Sequence, residues 1–236
     1  MKESSVGPSR RPNEADTRRA SKADQVYTEI KEAILSGELE PGAAIDKIAL
    51  CGKLGMSRFP VTTAIHRLAY EKLVTIEPQH GSFVARISAA HVQEWMLLRC
   101  AIEVEIAGEA AFKMPETLGA DLARNMRYQQ AAVDASDVDG FYRLDVEFHR
   151  LIVNALGYAY AAEILDELHS HLERVRRLLL TPPGRLPITL SQHKSIVDAL
   201  TQGDRAAAQA SMRLHLEDTT DMFRKVVAQR PDLISA

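Results

Sequence analysis

Asp145 and His149 stand four residues apart in the run FYRLDVEFHRL, residues 141–151. On a helix that spacing puts two side chains on one face, a single turn from each other. His193 and His215 come later, the first near the start of one helical stretch, the second in register with Met212 and Met222 in another. Three imidazoles and one carboxylate form a donor set suited to a divalent transition metal, with positions left open for water or a ligand atom. The chain has eight histidines. A lone helical histidine is more often a hydrogen-bonded core or surface residue, so spacing by itself leaves that alternative standing. His169 and His171 compete weakly, because side chains two apart on a helix diverge.

A second constellation sits near the N-terminus. Ser57, Arg58, Thr62, Thr63 and His66 fall along the leading part of a short helix that follows Gly55. The first-turn N–H groups and the Ser57 hydroxyl suit a phosphate, Arg58 a guanine or a phosphate, and the threonines a base edge or a thymine methyl. His80 and Gly81 lie at the tip of a hairpin that can meet the minor groove or the DNA backbone. The competing reading is an ordinary polar helix surface.

Local signals supply the elements that carry these residues. Val26, Ile30, Ile34 and Leu35 repeat at helical spacing, so residues 23–36 are expected as a helix, stopped at Gly37 and followed by a Pro41-Gly42 turn. Asp46 caps a second helix over 47–54, Gly55 ends it, and Ser57 caps a third over 58–72 with Pro60 in its first turn. Two strand-like runs, 74–77 and 83–87, flank Pro78–Gly81. That order is a winged helix-turn-helix.

From residue 89 onward only helical stripes are expected: Trp95, Leu98, Ile102, Ile106; Leu118, Leu122, Met126; Phe141, Leu144, Phe148, Leu151; and Ile164, Leu168, Leu172, Val175, Leu179. Two more helices, about 190–202 and 204–228, complete six. The expected fold is therefore mostly α, a winged helix-turn-helix followed by a six-helix antiparallel bundle large enough to enclose a cavity. The division is an arm over 1–22, a DNA-binding domain over 23–88, an all-helical domain over 89–230 that carries the candidate metal ligands, and a tail over 231–236.

Composition sets outer bounds. The 236 residues are 46% hydrophobic and 26% charged, an ordinary globular balance that fits one large or two modest domains. Net charge is -3, so any nucleic-acid contact must be local; residues 1–88 hold 13 basic and 11 acidic side chains, the remainder 16 and 21. The arm, with Arg10, Arg11, Arg18, Arg19 and Lys22, reads as disordered or as a basic tail touching phosphates. Two distant cysteines, no apolar run of membrane-span length and a polar N-terminus point to a cytoplasmic protein.

Three strings carry a family resemblance: Ile34–Gly42 (ILSGELEPG), Leu54–Val61 (LGMSRFPV) and Leu73–Val84 (LVTIEPQHGSFV). Residues 26–87 resemble the GntR family of bacterial regulators. Two positions depart from it, since the family often has DNA-contacting arginines where this chain has Ile48 and Thr62; Lys47 offers partial compensation. Residues 90–228 are similar to the FCD effector domain of the FadR branch, through Phe141–Leu151, Gln192–Leu200 (QHKSIVDAL) and Ala210–Leu216 (ASMRLHL), with six helices as in the VanR-type subgroup. The resemblance implies a metal on Asp145, His149, His193 and His215. Zinc is the first choice, with nickel, manganese or iron as alternatives. It also implies contact of Arg99 with an effector carboxylate, Arg174 being a second candidate; against this, both arginines suit salt bridges, with Glu103 and Glu105 near Arg99.

The expected function is a homodimeric repressor on a palindromic double-stranded DNA operator, released by a small organic acid bound near the metal, with no membrane association. Movement is expected about the link at 86–90. A helical metal-dependent hydrolase is the rival, weakened by the lack of an evident general base. A metal that is only structural, or is itself the signal, is a further alternative.

Overall fold

A computed structural model describes residues 21–235. Residues 1–20, and with them Arg10, Arg11, Arg18 and Arg19 of the expected arm, lie outside the described residues. The first helix, α1 (Lys22–Leu35), begins inside the stretch assigned to the arm, because Ser21 and Asp24 form a reciprocal capping box. Its buried face is Val26, Ile30, Ile34 and Leu35.

Helix α2 (Lys47–Leu54) starts where the Asp46 carboxylate accepts from the N–H groups of Ile48 (2.8 Å) and Ala49 (3.0 Å). It stops at Gly55, whose φ of +60° is left-handed and costs a glycine little. Helix α3 (Arg58–Tyr70) packs Val61, Ala64, Ile65 and Leu68 against α1. Ser57 occupies its N-cap position but makes no side-chain capping bond, which corrects the expectation and leaves its hydroxyl unengaged.

The wing is an antiparallel hairpin of β1 (Val74–Glu77) and β2 (Gly81–Val84), paired from Val74↔Val84 to Glu77↔Gly81. The chain over 42–45 lies along β2, bonded through Val84 N–H to Ala43 O (2.9 Å) and Ile45 N–H to Ser82 O (2.8 Å). The strand-like run expected over 83–87 is split. Pairing with β1 ends at Val84, and a separate strand β3 (Ile87–Ser88) follows.

Six helices come next: α4 (Ala89–Lys113), α5 (Leu118–Asp134), α6 (Val138–Asn154), α7 (Ala159–Leu180), α8 (Arg185–Thr201) and α9 (Arg205–Gln229). Helix α4 lies along α9 and also meets α6, α7 and α8, so it forms the axis of the bundle. Val104, Ala107, Ala110, Leu122, Phe148, Ile152, Ile196 and Leu216 share its main core.

Two expectations fail in detail. Leu98 is half exposed, and the buried side of α4 runs through Val92, Met96, Arg99, Glu103 and Ala107. The stretch expected as a tail is not free either: β4 (Ile234–Ser235) pairs in parallel with β3, Ile87 with Ile234 and Ser88 with Ser235. Ile234 and Ser235 thus hold the link between the winged part and the bundle.

Candidate functional site

Three helices bring the quartet together. Asp145 and His149 project from α6, His193 from α8 and His215 from α9, all buried, and one donor atom from each lies within 4.8 Å of the other three. Asp145 Oδ1 sits 3.3 Å from His193 Nε2 and 3.7 Å from His149 Nε2. The rings close around them, with centroids 4.8 Å apart for His193–His215 and 5.3 Å for His149–His215.

What aims the rings is a surrounding set of acceptors. His193 Nδ1 donates to Gln129 Oε1 (2.8 Å) and His215 Nδ1 to Gln192 Oε1 (2.9 Å). An amide oxygen only accepts, so each ring carries its proton on Nδ1 and turns a bare Nε2 to the centre. Both amides are themselves held. Gln129 Nε2 donates to Asn125 Oδ1, Asn125 Nδ2 to Leu144 O, and Gln192 Nε2 to Asp218 Oδ2. His149 Nδ1 lies 2.5 Å from Glu103 Oε2, a close contact that puts a carboxylate behind this ring, where metal-ligating histidines commonly have one. Among the described residues, His193 Nε2 and both ring nitrogens of His149 have no hydrogen-bond partner of good geometry. Converging bare imidazole nitrogens beside an ionised carboxylate fit a divalent transition metal.

Electrostatics agree with that fit. Burial pushes the Asp145 carboxyl up, but Arg176 and then His149 outweigh it and hold it well below the usual carboxylate range. Glu103 is likewise held well below that range, Arg99 first and His149 next overriding burial. Burial lowers His193 to about 4.

Beside the quartet is a cavity of about 20 Å³, lined by Arg99, Asp145, Arg176, Arg185, Thr189 and His215 among others. Arg99 is fully buried, its Nε 2.5 Å from Glu103 Oε1, and its Nη2 has no partner among the described residues. Arg176, also buried, pairs with Asp145, and its Nη1 is likewise unpartnered. Arg99 and Arg176 both line this small space, and each has a buried guanidinium nitrogen without a partner among the described residues, a combination receptive to an anion. Arg185 is drawn off to Asp218 (2.5 Å).

Arg174 does not join this corner. Two residues from Arg176 on α7, it points elsewhere, and its Nη1 donates to the Ala85 carbonyl at the link (2.6 Å). Arg176, absent from the sequence expectations, lines the cavity beside Arg99. A signal existed: Arg176 is four residues after Leu172 and three before Leu179, a charge inside an apolar stripe. Ile164, counted in that stripe, is half exposed, and Leu165 is buried instead.

His169 is also buried, 3.3 Å from Glu103 Oε1 but outside the quartet, and burial lowers its pKa from 6.5 to about 4. The folded state therefore refuses a proton that the unfolded chain takes up between those values, so stability falls as pH drops through that window. The full shift corresponds to about 3 kcal/mol. In thermal scans of the metal-free protein, the melting temperature should be level above about pH 7 and decline from about 6.5 to 4, and His169→Gln should make the decline shallower, the rest belonging to other buried rings such as His193. Equal slopes for the two proteins would remove His169 as a contributor.

At the other end of the molecule, Ser57 and Arg58 are exposed at the start of α3, with Thr62, Thr63 and His66 along it. Half-buried Lys47 begins α2, and His80 and Gly81 are exposed at the wing tip. No helix of the described residues is long and apolar enough to cross a membrane.

Residues 22–84 match the model of the family "Bacterial regulatory proteins, gntR family", and residues 94–218 match that of the FCD domain. The chain is 31% identical to an HTH-type transcriptional regulator in an unstable DNA locus of Streptomyces ambofaciens, covering 94% of this chain and 93% of that one. It is 30% identical to the HTH-type transcriptional repressor RspR of Escherichia coli K12 (89% and 92%), and 26% to the gluconate operon repressor of Bacillus subtilis (86% and 85%). A GntR transcriptional regulator from Rhodococcus sp. RHA1 shares the fold, with a TM-score of 0.69 at 22% identity over 86% of this chain and 98% of that one.

Proposed function

The chain belongs to the GntR family, with an FCD domain behind its helix-turn-helix, and from that premise we propose that it is a dimeric repressor whose grip on a palindromic operator is set by a small organic acid held beside a divalent metal. Its relatives are HTH-type transcriptional regulators and repressors, and the chain is a transcription regulator, not an enzyme. The hydrolase alternative falls with that membership.

The observation that carries the effector reading is the union of two features. Four buried donors lie within 4.8 Å of one another, and the adjoining cavity is lined by Arg99 and Arg176, each with a buried guanidinium nitrogen unpartnered among the described residues. Asp145, His149, His193 and His215 would hold the metal, which supplies a Lewis-acid position for a carboxylate oxygen; zinc, nickel, manganese or iron all suit this donor set. Arg99 and Arg176 orient the rest of that carboxylate. The acid reading has support in one relative, the repressor of a gluconate operon, since gluconate is a carboxylate.

The cavity has room for about one water. Admitting an acid therefore displaces side chains, Arg176 among them, and strains the Arg176–Asp145 pair. Helix α7 connects that event to the DNA-binding part. Besides Arg176 it carries Arg174, bonded to the Ala85 carbonyl, Glu173, 4.0 Å from Lys31 of α1, and Arg177, 3.7 Å from Glu32 of α1. A shift of α7 changes how the winged part sits, and operator affinity changes by the difference in effector affinity between the two arrangements. One recognition helix and one wing serve each half-site, with Ser57, Arg58, Thr62, Thr63, His66, Lys47, His80 and Gly81 at the DNA.

A gel-shift titration against the promoter of the chain's own gene, with and without a panel of hydroxy and dicarboxylic acids, tests both halves. Arg58→Ala should weaken binding by about 5–150-fold, from the loss of about 1–3 kcal/mol. Arg99→Lys keeps a cation opposite Glu103 but loses the fork, so it should bind DNA normally and ignore the acid that releases the parent protein. An unaltered acid response would remove Arg99 from the site.

A further inference from the structure

Two large apolar side chains stand bare at the leading ends of the helix-turn-helix: Ile48, in the first turn of α2, is 70% exposed, and Phe59, in the first turn of α3, is 81% exposed. Isolated exposed apolar residues are commonplace, but Phe59 lies in the first turn of the helix whose N-terminal residues enter the major groove when such a motif docks, and Ile48 in the first turn of the helix that crosses the DNA backbone beside it. At 3.6 residues per turn, Phe59, Thr63, His66 and Tyr70 lie within an arc of about 60° on α3. That arc is opposite the core residues Val61, Ala64, Ile65 and Leu68. Thr63 adds to the apolar character, because its hydroxyl donates to the Phe59 carbonyl (3.0 Å) and so commits its proton to the backbone, leaving the methyl to offer.

The surrounding charges point the same way. Lys53 is paired with Glu29 (2.9 Å) and Arg67 with Asp24 (2.5 Å). Arg58 and Lys47 have no ion pair among the described residues, so each, next to an exposed apolar residue in sequence, keeps its charge for the DNA. Neither a phenyl ring nor a sec-butyl group can donate or accept a hydrogen bond, so neither reads the polar pattern of a base edge. In the major groove the apolar group on offer is the C5-methyl of thymine.

We propose that Phe59 and Ile48 are specificity-determining residues that read thymine methyl groups in each operator half-site. The inference rests on the DNA-reading function of the previous subsection and deepens it. Where the family resemblance leads one to expect an arginine probing guanine, Ile48 turns the preference toward thymine.

Selecting duplexes from a random library with the full chain provides the operator. Each thymine of the best duplex is then replaced in turn by deoxyuridine, which keeps the pairing and the O4 acceptor and deletes only the methyl. At one or more positions per half-site the affinity should fall about fourfold, the value of one buried methyl-sized group. Phe59→Ala should bind the all-thymine duplex correspondingly less well, lose its sensitivity at those positions, and keep the parent's salt dependence because its phosphate contacts are intact. Ile48→Ala should lose sensitivity at different positions. Both side chains are exposed, so neither variant is expected to misfold. Equal affinity for every deoxyuridine duplex overturns the inference while leaving DNA reading in place, as does a Phe59→Ala,Ile48→Ala protein that stays fully methyl-sensitive. Failure to enrich any sequence overturns the DNA reading itself and the inference with it.

Discussion

Glu103→Ala is expected to lower the melting temperature by about 10 °C. Its carboxylate is buried and shared among three partners: Arg99 Nε at 2.5 Å, His149 Nδ1 at 2.5 Å and His169 Nε2 at 3.3 Å. Removing it strands the Arg99 guanidinium as a buried cation, and breaking a buried pair from one side costs about 3–5 kcal/mol. In a chain of this length each kcal/mol moves the transition by roughly 2–4 °C. It also frees the His149 ring to turn, so metal affinity should drop by about 10–100-fold, the usual consequence of losing a carboxylate behind a ligating histidine. Glu103→Gln keeps an acceptor and should fall between the parent and the alanine variant in both respects. Calorimetry with a metal titration reads the two effects separately. A melting temperature unchanged by Glu103→Ala would mean that Arg99 is solvated, and the closed corner around it would have to be abandoned.

The second large effect concerns the metal. His149→Ala combined with His215→Ala removes two of the four donors, from α6 and α9, and should take the metal content from about one per chain to none by elemental analysis. The parent protein should gain about 4 kcal/mol of stability when free metal exceeds its dissociation constant a thousandfold, and the double variant should gain nothing. His169→Ala is the control. That ring is near the quartet but belongs to the Glu103 network, so the variant should retain its metal. Full metal content in the double variant would reject the quartet as the binding site.

Much of the helix-turn-helix could be read before any coordinates, for local reasons. Asp46 offers its carboxylate to the N–H groups of α2, Gly55 supplies a left-handed residue, Pro60 tolerates a first helical turn, and Gly81 begins the returning strand of the wing. Each acts over a few residues, and the chain folds there as those residues ask. The Asp145–His149 pairing was equally legible, since helical geometry alone puts them on one face. The bundle was harder. Helix α4 has neighbours on several sides, so an apolar stripe no longer marks the buried face, and Trp95–Leu98–Ile102–Ile106 gave a face rotated from the true one.

What the amino-acid order settled on its own was where helices begin and end and which residues have the chemistry to bind DNA, a metal or an anion. Its capping residues, glycines and spacings act at short range. Which of those residues meet was decided by packing. The approach of α6, α8 and α9 assembles the quartet. Two amides, Gln129 and Gln192, set the ring orientations from a distance in sequence of 64 and 23 residues. The choice of Arg176 over Arg174 follows from how α7 is rotated against the core, and the return of Ile234 to Ile87 closes the chain on its own link. These are contacts between segments far apart along the chain, and their geometry exists only once the helices have buried their apolar faces together.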